Sequence, residues 1–226
     1  MSRHTKIVAT LGPASSDLPT LERLVHAGVD VVRLNFSHGK AEDHIARANQ
    51  IREAAQLVGR PVGILADMQG PKIRVGKFEE GKITLTKDAA FILDAALTTP
   101  GNLHRVGLDY KDLPRDVKPG DVLLLDDGRL KLSVDRVLGH EIHTRVKVGG
   151  ELSNNKGINR QGGGLTAPAL TAKDMDDIKT AALIGVDFVA ISFPKGAADM
   201  YMARQLLRAA GSSALLIAKI ERTEAV

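Results

Sequence analysis

The 226 residues, 43% hydrophobic and 26% charged, have the proportions of one or two ordinary folded domains rather than of a disordered chain. The absence of cysteine excludes disulfides and thiolate metal sites; no apolar run reaches the ~18 residues that cross a bilayer. A formal charge of +4 with 3% aromatics and no tryptophan favours small phosphorylated ligands over nucleic acid, which lacks a stacking platform here.

The start, Met1-Ser2-Arg3-His4-Thr5-Lys6, lacks the apolar core of a secretory signal, so a cytoplasmic protein without a membrane partner is expected. Strand-like and helix-like patterns then alternate. Lys6–Leu11, Val29–Phe36 and Val62–Met68 are short apolar runs. Between them lie helical stretches, Leu18–Ala27 closed by Gly28 and Glu42–Leu57 closed by Gly59. Regular alternation of this kind predicts a parallel sheet with crossover helices.

The character changes at Gly70-Pro71-Lys72. From there to Pro168 the sequence predicts short strands, at Lys82–Thr86, Phe91–Leu93, Asp121–Leu125, Leu130–Val134 and Glu141–Val148, separated by glycine-bearing turns as in an all-β unit. The run Gly162-Gly163-Gly164 reads as a hinge back. Helix and strand then alternate again: Lys173–Leu183, with Thr171 as N-cap and Asp174 in the first turn, Asp187–Phe193, Ala197–Ala210 and Leu215–Glu221. The expected organisation is therefore 1–70 and 169–226 as one α/β domain, interrupted by a β domain at 71–168.

Three segments carry candidate chemistry. In Val31–Gly39, alternate residues of a strand share a face, so Arg33, Asn35 and Ser37 point opposite to Val32, Leu34 and Phe36. Polar groups at the C-terminal end of a buried parallel strand are where a β/α barrel builds its active site, and both flanking strands read as buried. A solvent-facing edge strand would alternate in the same way. In Leu215–Glu221, Lys219 and Glu221 share a face about 6.6 Å apart along the strand. They admit two readings, a structural ion pair or a cation beside a carboxylate for Mg²⁺. Asp67, at the end of the third strand, suits a metal or would orient a neighbouring arginine.

Within the β domain, Lys156 lies in the polar stretch Leu152–Asn159, which reads as a solvated loop. Asp126-Asp127-Gly128 reads as a hairpin turn rather than a metal site. Of the histidines only His38 falls in a candidate site; surface or helix positions account for the others. Neither a P-loop nor a dinucleotide fingerprint occurs.

Taken together, KIVATLGPAS at Lys6–Ser15, RLNFSHG at Arg33–Gly39, DMQGPKIR at Asp67–Arg74, NNKGIN at Asn154–Asn159, and the later AISFP and AKIE resemble the pyruvate kinases, in order and spacing, over essentially the whole chain. The resemblance implies the first five strands of a (β/α)8 barrel carrying an inserted small β-barrel lid. It implies glycolytic phosphoryl transfer from phosphoenolpyruvate to ADP, giving pyruvate and ATP. Arg33 would hold the substrate phosphoryl group. Lys219 would stabilise that group in transfer and the departing enolate. Glu221 would ligate Mg²⁺. Asn35, Arg74 and Lys156 would contact nucleotide phosphates; His38 and Ser192 would line the substrate pocket. Such a site works by positioning and electrostatics, with a closing lid to exclude water.

In much of the family K⁺ lies beside the residues matching Asn35, Ser37, Asp67 and the backbone of Met68, and those relatives carry glutamate where this chain has Lys72. A lysine ammonium could replace the cation's charge, so the expectation is an enzyme that works without K⁺. Family members extend further, through a second Mg²⁺ carboxylate, a proton-delivery threonine and an allosteric domain, and the complete enzyme is expected to be a homotetramer. The 226 residues alone are expected to be poorly stable and inactive. Two other classes stay open: another Mg²⁺-dependent phosphoenolpyruvate- or aldehyde-handling barrel enzyme, and a non-catalytic phosphate-binding module. ADP-dependent pyruvate release separates the three.

Overall fold

In chain order, the computed structural model, which describes residues 4–226, begins with β1 (Val8–Thr10), α1 (Leu18–His26), β2 (Val31–Asn35), α2 (Ala41–Val58) and β3 (Gly63–Asp67). The Met1-Ser2-Arg3 part of the N-terminal stretch read above lies outside the described residues. There follow β4 (Lys82–Leu85), β5 (Ala90–Asp94), β6 (Arg105–Gly107), α3 (Leu113–Asp116), β7 (Val122–Leu125) and β8 (Leu130–Leu138). Then come β9 (Glu141–Val148), β10 (Gly150–Ser153), β11 (Ile158–Arg160), α4 (Ala172–Ile184), β12 (Phe188–Ser192), α5 (Ala197–Ala209) and β13 (Leu215–Lys219).

Contacts divide the chain into two units, Met1–Pro71 with Pro168–Val226, and Lys72–Ala167. The first is an α/β unit. Its five-stranded sheet has the order β1-β2-β3-β12-β13, all neighbours parallel. Parallel strands need helical crossovers, and α1, α2, α4 and α5 supply them. Two of these helices start where short polar side chains cap them. Asp17 accepts the Thr20 N–H at 2.9 Å. Thr171 and Asp174 form a reciprocal box, with bonds of 3.1 and 2.8 Å that satisfy otherwise orphaned N–H groups. The apolar faces meet in one core that includes Val32, Leu34, Phe36, Ile51, Ile178 and Val189.

The second unit is β-rich and has its own core, around Phe91, Leu93, Leu123, Leu125 and Ile142. Its main sheet runs β11-β7-β8-β9-β5-β6, and β4 pairs separately with β10.

Three sequence expectations need correction. The strands flanking Val31–Asn35 are not both buried: β1 is an edge strand with Val8 55% exposed, because no described strand pairs with its outer side. The Leu152–Asn159 stretch is not simply a loop; its ends belong to β10 and β11, whose backbones find ladder partners in β4 and β7. Lys219 ends its strand, so Glu221 lies beyond the sheet. The elements β6 and α3, three and four residues long, were not read from the sequence.

Candidate active site

Register brings the polar residues of the α/β unit together. Thr10 lies opposite Arg33, Asn35 opposite Asp67, Asp67 opposite Ala190, and Ser192 opposite Lys219. Side chains at matched or two-step positions share one face of a parallel sheet, so Thr10, Arg33, Asp67, Ser192 and Lys219 line up across five strands.

Asp67 is the hub. Only 4% exposed, its Oδ2 accepts Arg33 Nε at 2.7 Å and Nη2 at 2.6 Å. Its Oδ1 lies 3.2 Å from Lys219 Nζ. A buried carboxylate is tolerated because two cations compensate it. Arg33 is fixed from its other side by Nη1 donating to Thr10 Oγ1 at 3.0 Å. Lys219 Nζ also donates to Ser192 Oγ at 2.8 Å. The single proton of that hydroxyl goes to the Met68 carbonyl at 2.7 Å rather than to Asp67 Oδ1 at 3.5 Å, since the shorter contact is the real bond.

Glu221 sits with Oε1 3.7 Å from Lys219 Nζ, while Oε2 accepts the Phe193 N–H at 3.2 Å. Phe193 has φ +58°, a left-handed conformation that costs a bulky residue energy and turns that N–H toward the carboxylate. Gly70, with φ +64°, closes the floor: a Cβ there would lie 2.8 Å from the Ser192 carbonyl oxygen. Its N–H donates to the buried Asp174 at 3.0 Å.

Glu221 fits a divalent cation as one oxygen ligand, but no group of three His, Cys, Asp or Glu residues that could hold a metal occurs among the described residues. One carboxylate oxygen is the kind of ligand Mg²⁺ takes, several more being needed to complete its shell. Three of the oxygens matched to a monovalent cation already accept protein donors. Asn35 Oδ1 accepts the Ser37 N–H at 3.1 Å, Asp67 is held by Arg33 and Lys219, and the Met68 carbonyl accepts Ser192 Oγ. His38 is exposed, its N–H bonded to the Asn35 carbonyl at 3.2 Å.

The other candidate residues belong to the β-rich unit. Arg74 donates from Nη1 to the Asn155 carbonyl at 2.9 Å. Lys156 pairs with Asp126 at 2.7 Å, and this hydrogen bond is the main reason the Asp126 carboxyl is held below its ordinary pKa. Asp126 and Asp127 have φ +48° and +55°, the left-handed turn read from the sequence. Lys72 lies against Gly157, its Cε 3.1 Å from where a Cβ would stand. A cleft of about 370 Å³ within this unit is bordered by Arg74, Lys77, Asp109, Lys111 and Asn155; burial raises the Asp109 carboxyl pKa.

Sequence reasoning missed Thr10 as the anchor of Arg33 and the Phe193 N–H as that of Glu221. The first was readable from strand alternation in Val8–Thr10; the second depends on a backbone dihedral that no residue pattern announced.

A family model described as pyruvate kinase, barrel domain, matches residues 2–226. Pyruvate kinase II of Salmonella typhimurium is 57% identical over 225 residues, which cover 99% of this chain and 47% of that protein. The pyruvate kinase of Haemophilus influenzae is 56% identical with the same coverage. That of Corynebacterium glutamicum is 45% identical over 226 residues, covering 100% of this chain and 47% of that protein. The chain thus spans about half the length of the curated relatives it matches, and it belongs to the pyruvate kinase family.

Proposed function

We propose that this chain supplies part of the active site of an enzyme that transfers the phosphoryl group of phosphoenolpyruvate to ADP, giving pyruvate and ATP in glycolysis. The observation that carries the reading is the convergence of Arg33, Ser192, Lys219 and Glu221 around the buried Asp67 carboxylate. The α/β unit is read as part of a (β/α)8 barrel, with the β-rich unit as its inserted lid domain.

A β-phosphate oxygen of ADP attacks phosphorus, the bond from phosphorus to the enol oxygen breaks, and the enolate takes a proton to become pyruvate. Arg33, fixed by Asp67 and Thr10, offers its guanidinium to the phosphoryl oxygens. Lys219 places its ammonium beside the charge that builds on the transferring group and on the enolate. Such pre-oriented charge is the main source of catalysis in phosphoryl transfer. Ser192 orients Lys219, and Asn35, His38, Arg74 and Lys156 contact phosphate or substrate oxygens. Mg²⁺, with Glu221 as one ligand, would add Lewis-acid charge to the phosphoryl and enolate oxygens.

K⁺ is not required on this reading. Asn35 Oδ1, the Asp67 carboxylate and the Met68 carbonyl each accept a protein donor, and the sequence carries a lysine at position 72 where much of the family carries glutamate. The working enzyme is read as a cytoplasmic homotetramer. The test is a chimera joining this chain to the remaining part of Salmonella typhimurium pyruvate kinase II, assayed with Mg²⁺ and without K⁺. Pyruvate release that needs ADP and is lost in Lys219→Ala is the expected result. A chimera that is folded by circular dichroism yet silent would overturn the proposal, and a strict K⁺ requirement would overturn its K⁺ clause.

A further inference from the structure

His44, on α2, is 2% exposed; its ring nitrogens make no hydrogen bond of full geometry, although the His38 backbone lies near enough to raise its pKa. Burying a polar ring without a full hydrogen bond is costly, so its packing must offset the cost. The ring is stacked on Phe36, with centroids 4.0 Å apart and planes 15° from parallel.

Phe36 is the residue through which the end of β2 is fixed. Its N–H donates to the Asp67 carbonyl at 3.0 Å, and its carbonyl accepts Lys173 Nζ at 2.7 Å. His44 holds the ring. On either side are Asn35 and Ser37, joined by their own bond, and His38, whose N–H returns to Asn35. The chain then bends over His44 at Gly39, where φ is +83° and a Cβ would stand 3.6 Å from Nε2. An imidazole is thus the platform on which the turn leaving the sheet is laid.

We propose that His44 is a positioning residue, acting through Phe36 to fix the 35–39 turn and the polar end of β2. Its consequence for turnover rests on the phosphoryl-transfer reading above; its structural content does not. Burial above all favours an uncharged platform. Burial lowers the His44 pKa, Arg47 on the same helix and Lys173 on α4 add to the effect, and the His38 backbone and Asp177 oppose it. Asp43 faces Gly39 from the same helix. Protonation would place a cation against Phe36 in a buried setting, so acid should loosen the turn.

Hydrogen–deuterium exchange of the 36–40 amides, measured on the chimera without substrate, tests the proposal. His44→Ala should speed exchange in that segment on the order of tenfold, with peptides of the β-rich unit unchanged. His44→Phe, which keeps the stack and cannot titrate, should stay within about twofold of the wild type. Between about pH 7 and about pH 5, after correction for intrinsic rates, the wild type should loosen and His44→Phe should not. Unchanged 36–40 exchange in His44→Ala would overturn the proposal, as would a uniform rise across the α/β unit. If His44→Ala does not fold, identical acid responses of wild type and His44→Phe would overturn it. In the chimera, His44→Ala should lower kcat and His44→Phe should keep it. A chimera with no Lys219-dependent turnover would sink the phosphoryl-transfer reading and leave the exchange result standing.

Discussion

The two units hold their candidate residues in different ways. In the α/β unit, five neighbouring parallel strands present Thr10, Arg33, Asp67, Ser192 and Lys219 on one face, and each cation has two or more partners. In the β-rich unit, Lys156 hangs on a turn with one ion pair, and the Arg74 guanidinium donates to one carbonyl. Register over-determines the first set, whereas single ties leave the second free to adapt.

Removing a member of the rigid set should have the largest effect. Lys219→Ala should cut kcat of the chimera on the order of 10²–10³-fold, the usual loss when one pre-oriented charge-stabilising group is removed. Lys156→Ala should chiefly raise KM for ADP, because its tie to the protein is loose. Equal kcat losses in the two variants would erase the distinction between the units.

Asp67→Ala tests the same contrast through stability. It leaves Arg33 and Lys219 facing each other without their shared carboxylate. Removing one partner of a fully buried pair costs about 3–5 kcal/mol; here both cations are about a third exposed, and water offsets part of that. A loss of roughly 2–3 kcal/mol is expected in urea unfolding of the α/β unit. Asp126→Asn, beside a Lys156 side chain that is 38% exposed, should cost less than about 1 kcal/mol. A larger loss from Asp126→Asn than from Asp67→Ala would reverse the ranking.

Much of the rigid set was legible in the sequence because strand alternation is a strict period of two. Arg33 and Asn35 against Val32 and Leu34 announce their faces without a structure, whereas the alternation read from Lys219 to Glu221 fails because the strand ends at Lys219. The helices of the α/β unit were legible for a similar reason, with Asp174 three residues after Thr171 marking a start. What stayed hidden depends on tertiary approach. Nothing local distinguishes His44 from a solvent-facing helix histidine until Phe36 lies under its ring. Asp67 could orient an arginine or bind a metal until register set it between Arg33 and Lys219. In the β-rich unit, β10 and β11 were obscured because the turn-forming Asn154, Asn155 and Gly157 between them dominate the stretch.

The smallest expected difference is in pH dependence, and it divides the units by sign. In the α/β unit both shifted groups are lowered: His44 from its ordinary 6.5, by burial, and Asp17 from 3.8, by the Thr20 backbone N–H. A group whose pKa falls on folding binds more protons in the unfolded chain, so stability rises with pH. The His44 contribution is complete above about pH 6.5 and declines as pH drops below it; that of Asp17 is complete above about pH 3.8 and declines below that. In the β-rich unit the shifts oppose. Asp126 behaves as Asp17 does, but burial raises Asp109 above its ordinary 3.8, so its contribution is present in acid and is lost as pH rises from about 3.8 through the raised value. Acidifying from about pH 7 to about pH 5 should therefore weaken the α/β unit while the β-rich unit holds level or gains. Unfolding followed by exchange in peptides from each unit reads the two separately, and a parallel decline in both would mean that a group other than His44 governs the acid response.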